Sequence, residues 1–279
     1  MRVDDQCLNA VDELIREASA IDVLPKFRAL AISDIEEKSP GEVVTAVDRA
    51  VEARLSRGLE EILPGSVVVG EEGTSANSAL FELISGDQPV WLIDPLDGTS
   101  SFVKGDPHFG IMVALILKGE ALASWIYHPL TDQMVFALSG EGAFVNGQRV
   151  CIPSPTDGDE LCGSILTKFL PDDLKTDAEA AIPTFRPVHV TLSAAHEYPD
   201  IVRGDKHFAL YYRTLPWDHV PGVLMIEEAG GIARRFSGER YDPADGGSGL
   251  LVAANEDIWL TARIRILPSL KTLCWRRAK

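Results

Sequence analysis

The segment Trp91-Leu92-Ile93-Asp94-Pro95-Leu96-Asp97-Gly98-Thr99 constrains this chain more than any other. An apolar strand beginning at Val90 carries two carboxylates, three residues apart, at its carboxyl end. Pro95 fixes the backbone between them, and Gly98 permits a tight turn. Thr99 stands where a helix can begin. Carboxylates at that spacing on a stiff turn can face one hard cation, and the Leu96 carbonyl can add an oxygen. Oxygen-only ligation of this kind suits Mg²⁺. The amides of Gly98 and Thr99 are then donors for a phosphate oxygen. The same pattern also reads as an Asp-rich turn with Asp97 capping a helix.

Three further segments hold acids at element ends. Val67 to Val69 is a β-branched strand that runs into Gly70-Glu71-Glu72-Gly73, where one glutamate can be a ligand and the other can orient it. Thr45-Ala46-Val47-Asp48 opens an amphipathic helix. It is close to a capping box with Asp in place of the usual Glu, and Asp48 could equally orient a nucleophilic water. Trp217-Asp218-His219 precedes a helix read over Pro221 to Ala229 and closed by Gly230-Gly231. Asp218 serves there as an N-cap or a ligand, and His219 as a first-turn residue with a satisfied hydrogen bond. Asp242-Pro243-Ala244-Asp245-Gly246 repeats the spelling of the first segment but lacks the apolar strand and the threonine, so it reads as turn chemistry.

The rest of the chain supplies a layered α/β frame. Apolar residues recur at three- and four-residue spacing over Leu8 to Ala18 and Val47 to Ile62, predicting two helices around a break at Ser39-Pro40-Gly41. Residues 109–117, 121–127 and 133–138 read as successive strands. Strands follow near 162–167 and 208–212 with a helix between them, then at 232–236 and 250–254, with a terminal helix. The Pro-, Ser- and Asp-rich stretch at 151–160 marks a boundary, which divides the chain into an N-terminal part, 1–150, and a C-terminal part, 151–279.

A net charge of −16, from 42 acids against 26 bases, excludes a nucleic-acid polyanion as partner. Residues 1–100 hold most of the excess, which points to acids converging on cations. No run reaches membrane-spanning length, so no membrane partner is expected. The acidic N-terminus does not read as a secretory signal. Four cysteines without CxxC pairing read as reduced thiols in a cytoplasmic protein.

Together, TAVD at 45–48, GEE at 70–72, WLIDPLDGTSSFVKG at 91–105 and WDHVPGVLMIEEAGG at 217–231 resemble the inositol monophosphatase family. GAFVNGQ at 142–148 and LVAAN at 251–255 add to the likeness, which spans roughly residues 40–255. The resemblance implies an α/β fold, a layered αβαβα sandwich of the type shared with fructose-1,6-bisphosphatase, and Mg²⁺-dependent hydrolysis of a small phosphorylated metabolite. It assigns Glu71, Asp94, Asp97, Asp218 and the Leu96 carbonyl to two or three Mg²⁺ ions. Thr99 and Asp48 fall on the pair that activates water, with Glu71 beside them, and Gly98 and Thr99 fall on the phosphate-binding amides. It also implies a homodimer and sensitivity to lithium.

The stretch before Trp217 departs from the family pattern. It is shorter than in the animal enzymes, and Arg213 stands nearest to a glutamate that contacts substrate hydroxyls there. Arginine has only donors and a permanent charge, which suits a second anionic group on the substrate; a surface ion pair is the alternative. A 3′(2′),5′-bisphosphate nucleotidase, a histidinol-phosphatase and a non-catalytic metal- and phosphate-binding relative are the other readings of the same motifs.

Overall fold

The computed structural model describes residues 3–39, 42–153 and 160–270. From the N-terminus the chain forms α1 (Asp5–Ala18), β1 (Ile35–Ser39), β2 (Glu42–Thr45), α2 (Ala46–Ile62), β3 (Val67–Gly70), α3 (Glu71–Ala76), β4 (Pro89–Asp97) and α4 (Thr99–Lys104). Five strands follow, β5 (Gly110–Leu117), β6 (Glu120–His128), β7 (Gln133–Leu138), β8 (Gly142–Val145) and β9 (Gln148–Val150). The remainder is β10 (Gly163–Ile165), α5 (Asp172–Ala181), α6 (Ala194–Arg203), β11 (Phe208–Tyr211), α7 (Pro216–Glu228), β12 (Ile232–Arg235), β13 (Leu250–Ala253) and α8 (Glu256–Ile266). No helix among the described residues is long and apolar enough to cross a membrane.

Strands β3 to β9 form one sheet in sequence order, parallel only between β3 and β4. A second sheet has the order β10-β11-β13-β12. Alternation along β4 explains the layering. Trp91 and Ile93 pack with Val11, Ile15, Val51 and Leu55 of α1 and α2, while Val90 and Leu92 pack with α6 and α7. All four strand residues are fully buried, so both faces of the large sheet need cover. Ala209 and Val252 of the second sheet close the same central layer, and its other face, with Phe208, Leu210 and Leu251, is covered by α5 and α8. The layers therefore run helix, sheet, helix, sheet, helix, the αβαβα sandwich that the resemblance implies.

Helix α7 lies between two sheets, which is why ten of its thirteen residues are buried with no polar stripe. It starts at Pro216, five residues before the expected start. Proline at the first helical position loses no hydrogen bond, because that N–H has no intrahelical partner. Leu215, not Asp218, is its N-cap residue, so Asp218 is released for another task. Gly222 lets α6 approach: a Cβ there would sit 2.1 Å from Tyr198 Cδ2. Two helices, α5 and α6, occupy the interval where one was expected. The break at Ser39-Pro40-Gly41 lies between paired strands β1 and β2, and residues 40–41 are outside the described residues, as are 154–159 of the expected boundary at 151–160.

His128 on β6 and His196 on α6 stack face to face, with centroids 4.1 Å apart, and tie the central helix layer to the large sheet. His128 Nε2 donates to the Ala195 carbonyl (2.7 Å) and His196 Nε2 to that of Phe109 (3.2 Å). Burial, with His128 alongside, pushes His196 from 6.5 down to about 3. The folded protein thus holds this ring neutral where the unfolded chain takes up a proton, so its contribution is complete above pH 6.5 and is lost as the pH falls toward 3. Urea unfolding should show the stability difference between wild type and His196→Gln narrowing by about 1.4 kcal/mol for each pH unit in that window. A pH-independent difference would contradict it.

Candidate active site

The ends of β3 and β4 point the same way and deliver Glu71 and Asp94 side by side. In a regular strand Asp94 and Asp97, three residues apart, face opposite sides. Here the pairing slips: Asp94 opposes Met112, yet Asp97 opposes Gly110, so one extra residue is inserted around Pro95 and Leu96. This bulge needs no ladder bond from Pro95, and it brings both carboxylates to one side. Gly98 then turns the chain with φ +81°, where a Cβ would lie 2.6 Å from the His108 carbonyl oxygen.

Glu71, Asp94 and Asp218 each present a carboxylate oxygen, all within 4.8 Å of one another. Asp94 is 2% exposed, and its Oδ1 accepts from the Leu96 amide (3.1 Å). Burial, then the neighbouring charges of Glu71, Asp97 and Asp218, push its carboxyl well above the usual range. Asp218 is raised by burial, Glu71 and Asp97, and Arg213 counteracts this. Asp97 Oδ2 accepts from Ser193 Oγ and from the Ala195 amide (2.8 Å), bonds that limit the rise caused by its burial to about 6. Such a set is all oxygen and strongly self-repelling, and it fits a hard divalent cation in donor type and charge.

Asp48, at the start of α2, completes the expected capping box. Its Oδ2 accepts from the Thr45 amide (2.8 Å) and from Thr45 Oγ1 (2.5 Å). Its other oxygen, Oδ1, lies 3.0 Å from Thr99 Oγ1, and that hydroxyl is also 2.9 Å from the Leu96 carbonyl. Burial raises Asp48 to about 6 against the pull of these bonds. Gly98 and Thr99 enter α4, whose first N–H groups have no partner within the helix.

Sequence reasoning passed over three neighbours. Lys38 on β1 pairs with Glu71 (3.0 Å) and Glu72 (2.6 Å); it is a lone base in the acidic run 34–42, a pattern that could have flagged it. Glu52 accepts from the amides of Glu72 (2.8 Å) and Gly73 (2.7 Å), and so holds the start of α3. It lies one helical turn from Asp48, on the same face. Ser193 has no local sign of its role, because its partner Asp97 is 96 residues away.

Arg213 forms an ion pair with Glu42 and lies 4.2 Å over the ring of Phe169. His219 is spoken for: Nδ1 meets the Tyr198 hydroxyl (2.8 Å) and Nε2 the Arg213 carbonyl (3.0 Å), while burial holds it near 3. Asp242 and Asp245 accept from the Ala244 (2.8 Å) and Gly247 (2.6 Å) amides within their own turn, and Asp245 also pairs with Arg235 (2.5 Å), as turn chemistry apart from the cluster.

Comparison with known proteins points to one family whose members carry different names; a Nus factor SuhB of Escherichia coli is 33% identical over 215 residues, 74% of this chain and 76% of its own. An inositol monophosphatase 2 of Solanum lycopersicum is 31% identical over 217 residues, 75% of this chain and 80% of its own. A fructose-1,6-bisphosphatase/inositol-1-monophosphatase of Thermotoga maritima is 31% identical over 208 residues, 74% and 77% of the two chains. In fold, the extragenic suppressor protein suhB of Bartonella henselae superposes with a TM-score of 0.80 at 22% identity, over 95% of this chain and 99% of that one. The sequence model of the inositol monophosphatase family matches residues 4–271, and the chain belongs to that family.

Proposed function

We propose that this protein is a Mg²⁺-dependent hydrolase of a small phosphomonoester. The observation that carries the reading is the convergence of Glu71, Asp94 and Asp218 within 4.8 Å, beside the Asp48–Thr99 pair. Glu71, Asp94, Asp97, Asp218 and the Leu96 carbonyl would hold the ions. Bound there, Mg²⁺ supplies the positive charge that a phosphate dianion needs and acidifies the attacking water. Thr99 Oγ1 passes its proton to Asp48 Oδ1 and takes one from that water. Asp48, poised near 6, is suited to accept a proton near neutral pH. The amides of Gly98 and Thr99 donate to the phosphoryl oxygens.

Relatives named for inositol monophosphate and fructose 1,6-bisphosphate favour a sugar or polyol phosphate as substrate. Arg213 favours one with a second anionic group: its guanidinium already acts on the Asp218 carboxyl, and Glu42 is an exchangeable partner at the surface.

Asp94→Asn should lower kcat/KM by more than about 100-fold, beyond what an outer-sphere change costs. Metal-free, the same variant should melt higher than wild type, by roughly 2–4 °C for each kcal/mol of repulsion relieved, and Mg²⁺ should no longer raise its Tm as strongly. Asp242→Asn should be silent in both assays. Wild-type-like activity and Mg²⁺ response in Asp94→Asn would overturn the ligand assignment.

Thr99→Ala should lower kcat by about 100-fold with little change in KM, because the hydroxyl acts on the attacking water. A raised KM alone would instead assign Thr99 to phosphate binding. For Arg213→Glu, the kcat/KM ratio of a sugar bisphosphate to a polyol monophosphate should fall roughly ten- to a hundredfold, the value of one charge-assisted hydrogen bond of about 1.5–3 kcal/mol. An unchanged ratio would remove Arg213 from the substrate site.

A further inference from the structure

We propose that the buried Glu197–Lys206 pair is a positioning device that sets Asp97 through the turn Thr191-Leu192-Ser193. Glu197, on α6, is fully buried, and Lys206, just beyond that helix, is 4% exposed. Four donors load the two Glu197 oxygens. Oε2 accepts from Lys206 Nζ (2.6 Å) and from Ser164 Oγ on β10. Oε1 accepts from the Thr191 amide (2.8 Å) and Thr191 Oγ1 (2.9 Å). Asp200 shares the Lys206 ammonium at 3.0 Å. Thr191 is thereby fixed to the second sheet, two residues before Ser193, whose hydroxyl donates to Asp97 together with the Ala195 amide.

Leu192, between these anchors, has a backbone φ of +58° and a 70% exposed side chain. A branched residue holds that left-handed conformation only where its surroundings dictate it. Burial of Leu192 gives no reason for the turn, whereas the donors that it aims at Asp97 do. No charge of the Glu197–Lys206 pair touches the carboxylate cluster, so its effect is indirect: it fixes the frame from which Asp97 is held.

The metal-binding arm of this proposal rests on the Mg²⁺ reading above; the exchange arm does not. Two variants test it. Glu197→Gln/Lys206→Met removes both charges, leaving no lone buried ion. Thr191→Val leaves the pair intact and removes the hydroxyl's bonds to Glu197 Oε1 (2.9 Å) and to the Ser193 carbonyl (3.3 Å) and amide (3.4 Å), so it cuts the turn itself downstream of the pair. In metal-free protein, hydrogen exchange at the Ala194 and Ala195 amides should accelerate by at least about tenfold while the amides of β5 keep their wild-type rates. Titration calorimetry should show the Mg²⁺ dissociation constant of the double variant rising by about tenfold, with a smaller rise in the same direction for Thr191→Val. Unchanged exchange at 194–195 and unchanged Mg²⁺ affinity in a folded variant would overturn the proposal, and so would equal acceleration in β5, the mark of a merely structural pair. If the double variant does not fold, Thr191→Val decides by the same measurements. Absence of Mg²⁺ binding in wild type would defeat the reading of the site instead, and leave the exchange result to decide the anchoring.

Discussion

Like charges held together in a low-dielectric cleft are the constraint on which the rest of this structure depends. Glu71, Asp94 and Asp218 meet within 4.8 Å, with Asp97 close enough to raise two of them, and burial compounds the repulsion. Nothing in this arrangement favours folding by itself. It is held by what surrounds it: the αβαβα layers bury enough apolar surface to fix β3, β4 and α7 whatever their ends carry. Except for Asp94, which stays on β4 and accepts from the Leu96 amide, these acids also meet the start of a helix. Glu71 opens α3, Asp218 lies in the first turn of α7, Asp48 in that of α2, and Asp97 meets the first amides of α6. The unpaired N–H groups and positive dipole end at such sites favour negative charge, so the fold lowers the cost of the cluster without neutralising it. Lys38 adds a cation on a separate hairpin.

Two kinds of carboxylate follow. Asp48 and Asp97 are tied by local or tertiary hydrogen bonds, which hold each near 6. Asp94 and Asp218 have little such support and are driven up by burial and then by their charged neighbours. Bonds orient the first kind, whereas the second is set by burial and charge that a cation's field would relieve. Residues of one chemical type are divided into roles by their hydrogen-bond partners.

Much of this was legible in the sequence where the signal was local. The capping box at Thr45–Asp48, the apolar strand before Asp94 and the glycines at 70 and 98 are each decided by residues within a few positions, and the helices and strands they imply are present. The start of α7 was misplaced because Pro221 looks like a helix beginning, whereas the two-sided burial that lets the helix extend back to Pro216 is a tertiary fact. The hairpin β1–β2 went unread for the opposite reason: Ile35 to Thr45 is acidic and lacks a buried alternating face, so only its pairing makes it a strand pair.

The site partners that went unread share one property, sequence distance. Ser193 reaches Asp97 across 96 residues and Lys38 reaches Glu71 across 33, so no spacing within a segment could pair them. The bulge at Pro95 is an intermediate case. Proline and the three-residue spacing were visible, but that they add one residue to the strand, and so turn Asp94 and Asp97 to the same side, follows only from the register against Met112 and Gly110. The spelling Asp-Pro-x-Asp-Gly at 242–246 has the same local chemistry but lies outside any strand, so it has no ladder register to slip; its carboxylates close their own turn, and Asp245 pairs with Arg235 of β12. What separates a site from a turn here is therefore the ladder beside it, because a bulge exists only relative to a partner strand.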